Sequence, residues 1–486
     1  SGPMLSRSAM RAAGRSGRRW VTSAAAAGPR VCIVGSGPSG FYAAKYLLKT
    51  HPGATVDIVD RLPTPFGLVR SGVAPDHPEV KNVTVDFESV AAEFASEGRF
   101  RYHGNVCVGE DVELSDLRKS FDAVLLAYGA SSDRELGVPG EDLEGVGGAR
   151  AFVNWYNGHP DHKDDPWAEA LQNTEDVVIV GQGNVAIDCA RVLTKTPDEL
   201  RHTDITSYAL EALAASRVRR VHVVGRRGHV QAAFTMKELR ELTRLDDAAL
   251  VAHTHELDAG ATEASAEELS KSRAAKKIDA LLRDTGKCLH ADESGAVPQH
   301  GKAKEVHLRF LLSPTGFQAG EGARVGSTLL SRSRLEGPAG AQSAVATGDE
   351  VALPSQLVLR SIGYRSVAVP GLSFDAQRCV ARNDAGRVVD EAGVPDVGLY
   401  VTGWLKRGPS GIIGTNIVCA KGSVKAILDD WEAGALAGAS TAAVAWPQAV
   451  DWEGWLRIDA AERAAGEAAG KSREKLSEVE AMIAAS

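Results

Sequence analysis

Short runs of β-branched and aliphatic residues alternate with helix-like stretches along the chain, the pattern of strands alternating with crossover helices. Residues 30–34 form the first run and lead directly into Gly35-Ser36-Gly37-Pro38-Ser39-Gly40, after which 41–49 reads as helix. A second strand, 56–59, ends at Asp60. Further on, the run 177–180 feeds Gly181-Gln182-Gly183-Asn184-Val185-Ala186, and an apolar helix continues over 187–193. The next strand, 221–224, ends in Gly225-Arg226-Arg227, and 399–416 reads as a strand, a glycine-rich bend and a helix start. Two stretches are less informative. Residues 258–304 are charged and helix-prone, and 313–350 are rich in Gly and Ser with few apolar positions, so both read as surface elaboration without chemistry. Trp446, Trp452 and Trp455 precede a terminal Ala- and Glu-rich helix, and tryptophans so closely spaced are expected to pack over a neighbouring core.

Each glycine pattern is a strand–turn–helix device for a pyrophosphate. Gly35 permits the tight turn, Gly37 lets the backbone approach the anion, and Gly40 allows close packing of helix on strand, while the helix N-terminus offers free N–H groups. Asp60 stands where a carboxylate accepts from a ribose hydroxyl. The device recurs at Gly181, so the chain carries two nucleotide sites, which suggests electron transfer between them. At the second site the following strand ends in Arg226-Arg227 rather than in an acid. A carboxylate there repels a 2′-phosphate, whereas paired guanidinium groups bind one, so this site is expected to prefer NADP over NAD.

At 486 residues the chain exceeds a single small domain, and its 44% apolar and 24% charged residues place it among globular rather than disordered or fibrous proteins. Fifty-five Lys and Arg against 63 Asp and Glu give a net charge of -8, which argues against general nucleic-acid binding and confines any basic surface to a local patch. Cys32, Cys107, Cys189, Cys288, Cys379 and Cys419 never stand as Cys-x-x-Cys, which excludes dithiol reductases and zinc knuckles and fits a reducing compartment. No metal-ligand set stands out, and no apolar run reaches the roughly eighteen residues of a membrane span. Ser1-Gly2-Pro3 reads as the remnant of a cleaved tag ahead of Met4. Residues 4–29 hold Arg7, Arg11, Arg15, Arg18 and Arg19 with no acidic residue, the composition of a mitochondrial transit peptide, which predicts the matrix as destination.

Several longer stretches carry a family resemblance. Pro65-Phe66-Gly67-Leu68-Val69-Arg70, Gly72-Val73-Ala74-Pro75-Asp76-His77-Pro78-Glu79-Val80-Lys81-Asn82, Lys237-Glu238-Leu239-Arg240-Glu241, Ser361-Ile362-Gly363-Tyr364 and 403–413, together with both glycine motifs, closely resemble the adrenodoxin reductase family of ferredoxin–NADP reductases, mitochondrial and bacterial. The resemblance runs through almost all of the chain after Arg30 and implies an α/β fold of two Rossmann-like domains of the three-layer ββα type. An FAD-binding domain would be built from 30–131 and 361–486, with an NADP-binding domain of 132–360 inserted into it. FAD is then expected to touch Ser39, Asp60, Leu68, Val108, Trp404, Gly411, Ile412 and Ile413. NADP would touch Gln182, Gly183, Asn184, Val185, Arg226, Arg227, Glu238 and Gly411. Asp60 stands where the family usually has the longer Glu, so its ribose bond is expected to be lengthened or water-bridged.

The resemblance also implies the reaction: a hydride from NADPH to FAD, then single electrons to a [2Fe-2S] ferredoxin serving iron–sulfur assembly or a cytochrome P450-type monooxygenase. His77 and Asp188 match a pair that the family places near the flavin, where the carboxylate would orient the imidazole and raise its pKa. An acidic ferredoxin needs a positive docking face on this acidic chain, for which Arg240, Arg273, Lys276 and Lys277 are candidates, ahead of Arg217, Arg219 and Arg220. Two competing readings are a reductase like the small subunit of glutamate synthase, whose cysteine-rich cluster domain has no counterpart here, and a nucleotide-bound structural subunit of a larger complex.

Overall fold

The computed structural model describes residues 28–436 and 443–486; the segment 4–29, expected as a transit peptide, therefore lies almost wholly outside the described residues. Two seven-stranded sheets organise the chain. In the first, Phe100–His103, Thr55–Val59, Arg30–Val34, Ala123–Leu126 and Pro395–Val401 run parallel in that order, with Arg387–Val389 and Asn383–Asp384 added antiparallel at one edge. The strand Pro395–Val401 comes from the far end of the chain, so the second sheet is inserted in sequence between strands of the first. The second sheet is all parallel, in the order Leu289–Ala291, Ala248–His253, Lys304–Arg309, Arg220–Val224, Asp176–Val180, Leu357–Arg360 and Val146–Gly148. Its strands Asp176–Val180, Ala248–His253 and Leu357–Arg360 read as near-continuous apolar runs because both faces are covered. Helices cover one face, packing on Val177, Ile179, Val221, Val223, Val306 and Leu308.

The other face of the second sheet meets a three-stranded antiparallel sheet, Leu312–Ala319, Val325–Glu336 and Ser343–Pro354. Leu312, Phe317, Val325, Leu330 and Leu353 pack there against Val178, Val180, Val224 and Val358. Residues 313–350, expected as surface elaboration, are thus the third layer of this half. The central strand buries Thr328, Ser331 and Ser333 along with its aliphatic residues, and Ser343–Pro354 is largely exposed, which left few apolar positions for the sequence to display.

The two halves are joined where the chain crosses between sheets, and the crossings Ser132–Asp133 and Tyr364–Arg365 pair with each other antiparallel. Trp452 and Trp455 are buried in the core of the first half. Trp452 stands edge-on to Phe100 and Tyr102, and Trp455 edge-on to Phe66. Trp446 stacks on the His103 ring at 4.2 Å. Beyond the helix Trp452–Ala468, the final segment reaches the second half. Lys471 Nζ donates to Ile205 O at 2.7 Å, and Lys475 Nζ bonds both Arg70 O and Asn157 Oδ1.

Candidate functional site

Both glycine motifs fold as strand, turn and uncapped helix. Gly35 and Gly181 take φ of 109° and 125°, which only glycine adopts without strain, and these turns release the helices Pro38–Thr50 and Asn184–Thr194 at the carboxyl ends of their sheets. A Cβ at Gly40 would lie 2.0 Å from Gly35 O, so that glycine is required for the helix to sit on its own turn. Gly37 and Gly183 are the N-caps, and neither helix start receives a side-chain cap. A Cβ built on either glycine meets nothing within 4 Å. Free N–H groups facing open space at a helix N-terminus fit a pyrophosphate.

Around the first cradle, Ser39 Oγ donates to Asn416 Oδ1 at 3.1 Å and ties the first helix to the helix Thr415–Glu432. Gly403 packs against Ser39, which places Trp404 beside the cradle, with its ring against Tyr364 at 5.5 Å. Trp404 Nε1 is buried and meets no acceptor in the protein, a donor left over for a bound group. Leu68 opens the short helix Leu68–Ser71 directly after Gly67, which abuts Gly37. Val108 is buried, Ile412 is 69% exposed, and Ile413 packs on the first core. The carboxylate of Asp60 turns inward: it accepts from Ser36 N at 2.8 Å, Ser36 Oγ at 2.5 Å and Leu62 N at 3.0 Å. Of about four acceptor positions on a carboxylate, three are thus used to hold the loops on either side of the cradle.

At the second cradle, Gln182 Nε2 donates to Arg309 O at 2.8 Å, and Asn184 Oδ1 accepts from Thr235 N at 2.9 Å. Thr235 in turn caps the helix Met236–Leu242. These two residues therefore brace the loop from the protein side. Arg226 and Arg227 are exposed and form no salt bridge among the described residues, so both guanidinium forks are available to an anion.

A buried charge cluster joins the halves between the cradles. Asp76 and His77 come from the first half, Asp188, Arg191 and Lys195 from the second cradle's helix and its end, and Glu238 and Glu241 from the helix Met236–Leu242. Arg191, 1% exposed, bonds Asp76 at 2.6 and 3.0 Å, Asp188 at 2.7 Å, and also reaches Glu238 at 3.3 Å and Glu241 at 3.1 Å. Lys195 adds a contact to Asp76 at 3.0 Å. The expected pairing of His77 with Asp188 is not the one formed. His77 Nε2 lies 2.7 Å from Glu241 Oε2 and 3.8 Å from Glu238 Oε2, while Asp188 is taken by Arg191 one helical turn further on.

Burial raises the Asp188 carboxyl, and burial followed by the charge of Asp188 raises that of Glu238. Burial opposes ionisation of Asp76 too, but the bond and charge of Arg191 outweigh it and hold Asp76 well below the carboxylate range. Four carboxyl groups thus share two fixed cations, and the cluster can store a proton next to an imidazole. Asp76, Arg191 and Glu241 were missed by sequence reasoning. The available signal was helical spacing: Arg191 follows Asp188, and Glu241 follows Glu238, by three positions on a common face.

The helix Met236–Leu242 also carries Arg240, exposed, and packs beside Arg273–Leu282, which carries exposed Arg273, Lys276 and Lys277. Exposed Arg244 follows directly. Of these, only Lys276 is partnered, donating to Ser270 O at 2.7 Å; none forms a salt bridge among the described residues. Arg217 and Arg220 are neutralised by Glu175 and Asp176.

Comparison with known proteins gives concordant results. Residues 29–317 match the model of the pyridine nucleotide-disulphide oxidoreductase family. The mitochondrial NADPH:adrenodoxin oxidoreductase of Arabidopsis thaliana is 44% identical over 482 residues, covering 96% of this chain and 97% of that protein. The NADPH-ferredoxin reductase FprA of Mycobacterium tuberculosis is 41% identical over 472 residues, covering 93% of this chain and 98% of that protein. The solved structure of M. tuberculosis FprA in complex with NADPH superposes with a TM-score of 0.82 at 39% identity, covering 94% of this chain and 99% of that one.

Proposed function

The chain belongs to the pyridine nucleotide-disulphide oxidoreductase family, and we propose from that premise that it is an NADPH:ferredoxin oxidoreductase of the adrenodoxin reductase type. It binds FAD and NADPH and passes electrons from the one nucleotide through the other to a ferredoxin. This reading is favoured over a glutamate synthase-like reductase by near full-length similarity to adrenodoxin and ferredoxin reductases. The observation that carries it in the fold is the pair of open, uncapped helix N-termini, with exposed Arg226 and Arg227 in no salt bridge among the described residues after the strand beside the second.

The assignment of residues follows the two sheets. We assign 30–131 and 361–486 to the FAD half and 132–360 to the NADP half, supported by sheet membership and by the paired crossings at Ser132 and Arg365. When bound, FAD supplies hydride acceptance from NADPH and one-electron delivery to the ferredoxin. Gly35, Gly37, Ser39 and Gly40 offer the flavin pyrophosphate its helix N-terminus, and Asp60 fixes the loop shape around the adenosine. Trp404 donates its indole N–H, and Leu68, Val108 and 411–413 wall the site against water. Gly183 and Val185 flank the opening of the second helix, braced by Gln182 and Asn184, while Arg226 and Arg227 read the 2′-phosphate. His77, Asp188, Glu238 and Glu241 hold an exchangeable proton at the junction of the halves, and Arg191 fixes their spacing.

An anaerobic titration followed by visible absorbance tests the assignment. The purified protein is expected to be yellow and to bleach at far lower NADPH than NADH concentration, and Arg226→Ala with Arg227→Ala is expected to abolish that preference. A colourless protein, or equal bleaching by both nucleotides, overturns the reading. We further propose [2Fe-2S] as the ferredoxin's centre, with docking on the unpaired bases of the helices Met236–Leu242 and Arg273–Leu282. For localisation we propose the mitochondrial matrix. The acid-free arginine content of 4–29 and the mitochondrial designation of the Arabidopsis relative support it. Fusion of residues 4–29 to a fluorescent protein checks it: import into mitochondria is expected, and cytosolic retention would refute it.

A further inference from the structure

At the carboxyl end of the strand Ala248–His253, away from the charge cluster, lies a group of histidines that the electron-transfer function does not use. One ring nitrogen each of His253 and His255 and a carboxylate oxygen of Glu256 lie within 4.8 Å of one another. The three are fixed to different degrees. Glu256 Oε1 takes both Arg309 donors, Nε at 2.9 Å and Nη2 at 2.7 Å, and Oε2 takes Phe310 N at 2.7 Å, which leaves one acceptor position open on Oε2. His253 is held through a relay. Glu305 Oε2 accepts from His307 Nε2 at 2.8 Å, so His307 Nδ1 carries a lone pair and accepts from His253 Nε2 at 3.1 Å. That tautomer strips the proton from His253 Nδ1, which is buried and has no partner. His255 has no hydrogen bond on either ring nitrogen, both of which are buried; its Nε2 stands 3.7 Å from Glu256 Oε1.

Buried lone pairs without donors are costly unless something binds them. A carboxylate that orients an imidazole, which in turn presents a bare nitrogen, is the arrangement that supports metal ligands from the second layer. We propose that His253, His255 and Glu256 form a binding site for a borderline divalent transition ion of the zinc type, oriented through His307 and Glu305. Bonds of about 2.1 Å hold tetrahedral ligands roughly 3.4 Å apart, so closure needs a rotation of His255, whose ring makes no hydrogen bond, and a turn of the Glu256 carboxylate toward its open Oε2 position. Because Arg309 already neutralises Glu256, the two uncharged imidazoles carry the affinity. This selects zinc, copper or nickel ions over magnesium or calcium, which need several anionic oxygens. The ion would lie on the same sheet edge as the second cradle, since Arg309 O accepts from Gly225 N and from Gln182 Nε2.

The test uses the flavin-loaded enzyme, treated with chelator, dialysed against zinc chloride and then against metal-free buffer, with elemental analysis of the retained metal. One zinc per chain is expected in the native protein and none in His255→Ala, whose ring makes no hydrogen bond, so its flavin spectrum should be unchanged. Glu305→Gln touches no ligand and is expected to weaken zinc binding by about 10- to 100-fold. His202→Ala, at a distant surface histidine, should retain the full metal. Absence of zinc from the native protein, or retention unaltered in His255→Ala, overturns the proposal.

Discussion

At the scale of single residues, the cradle glycines and the buried arginine separate binding from stability. Gly183 has an extended φ of -92° and open space where a Cβ would go. Gly183→Ala is therefore expected to fold as well as the native chain, or to gain about 0.4–1 kcal/mol through a less flexible unfolded state. Its methyl group would stand where the pyrophosphate approaches, so NADPH affinity should fall at least tenfold, measurable by the flavin-bleaching titration alongside the melting temperature. Arg191 predicts the opposite split. Arg191→Met leaves Asp76, Asp188, Glu238 and Glu241 sharing Lys195 and His77, and removing one member of such a buried network typically costs about 3–5 kcal/mol. A clear drop in the urea midpoint is expected, whereas Asp188→Asn should be milder, because the amide keeps an oxygen to accept from Arg191 and removes one of four crowded carboxylates.

At the scale of elements, the terminal segment acts as a strap between the halves. Lys475, buried, meets Asp204 at 2.9 Å, and Asp204 also takes Lys81 at 2.6 Å. Burial lowers the Lys475 ammonium from 10.5 to about 7 despite the attraction of Asp204. Between those values the unfolded chain holds a proton that the folded chain has released, so stability rises with pH across this window, by at most about 1.4 kcal/mol per unit. Below about pH 7 both states hold it and the full cost of burying the charge remains. The melting temperature of the native protein is expected to climb from pH 7 to pH 9 more steeply than that of Lys475→Met, with Lys81 supplying the residual slope, since burial lowers it as well; identical slopes would exclude the strap lysine as the titrating group. The strap itself was not legible in the sequence, which showed only the buried tryptophans ahead of it. What could be read were elements that declare themselves locally: β-branched runs buried on both faces, glycine turns with forced φ, and an arginine pair in place of an acid. The antiparallel third layer escaped because its central strand buries Thr328, Ser331 and Ser333 among its aliphatic residues while Ser343–Pro354 is largely exposed, so neither strand shows an apolar run. The partner of His77 escaped because it depends on how the helix Met236–Leu242 docks across the junction, which no local pattern encodes.

At the scale of the whole molecule, a net charge of -8 opposes the approach of an acidic partner over most of the surface. The proposed docking face gathers exposed Arg240, Arg244, Arg273, Lys276 and Lys277 on two packed helices and the turn after one of them, and Arg240 shares its helix with Glu238 and Glu241 at the junction. Steering by such a patch operates over a screening length of about 30 Å at 0.01 M salt and about 8 Å at 0.15 M. Over that range ferredoxin reduction should slow far more than NADPH-driven reduction of ferricyanide, a small acceptor that does not need an oriented encounter. Reversing two charges, Arg240→Glu with Arg273→Glu, should slow ferredoxin reduction roughly tenfold at low salt, chiefly through the association rate, and flatten its salt dependence while ferricyanide reduction stays near native. If both acceptors lost rate in parallel, the defect would lie in the nucleotide sites, and the docking face would have to be sought elsewhere on the surface.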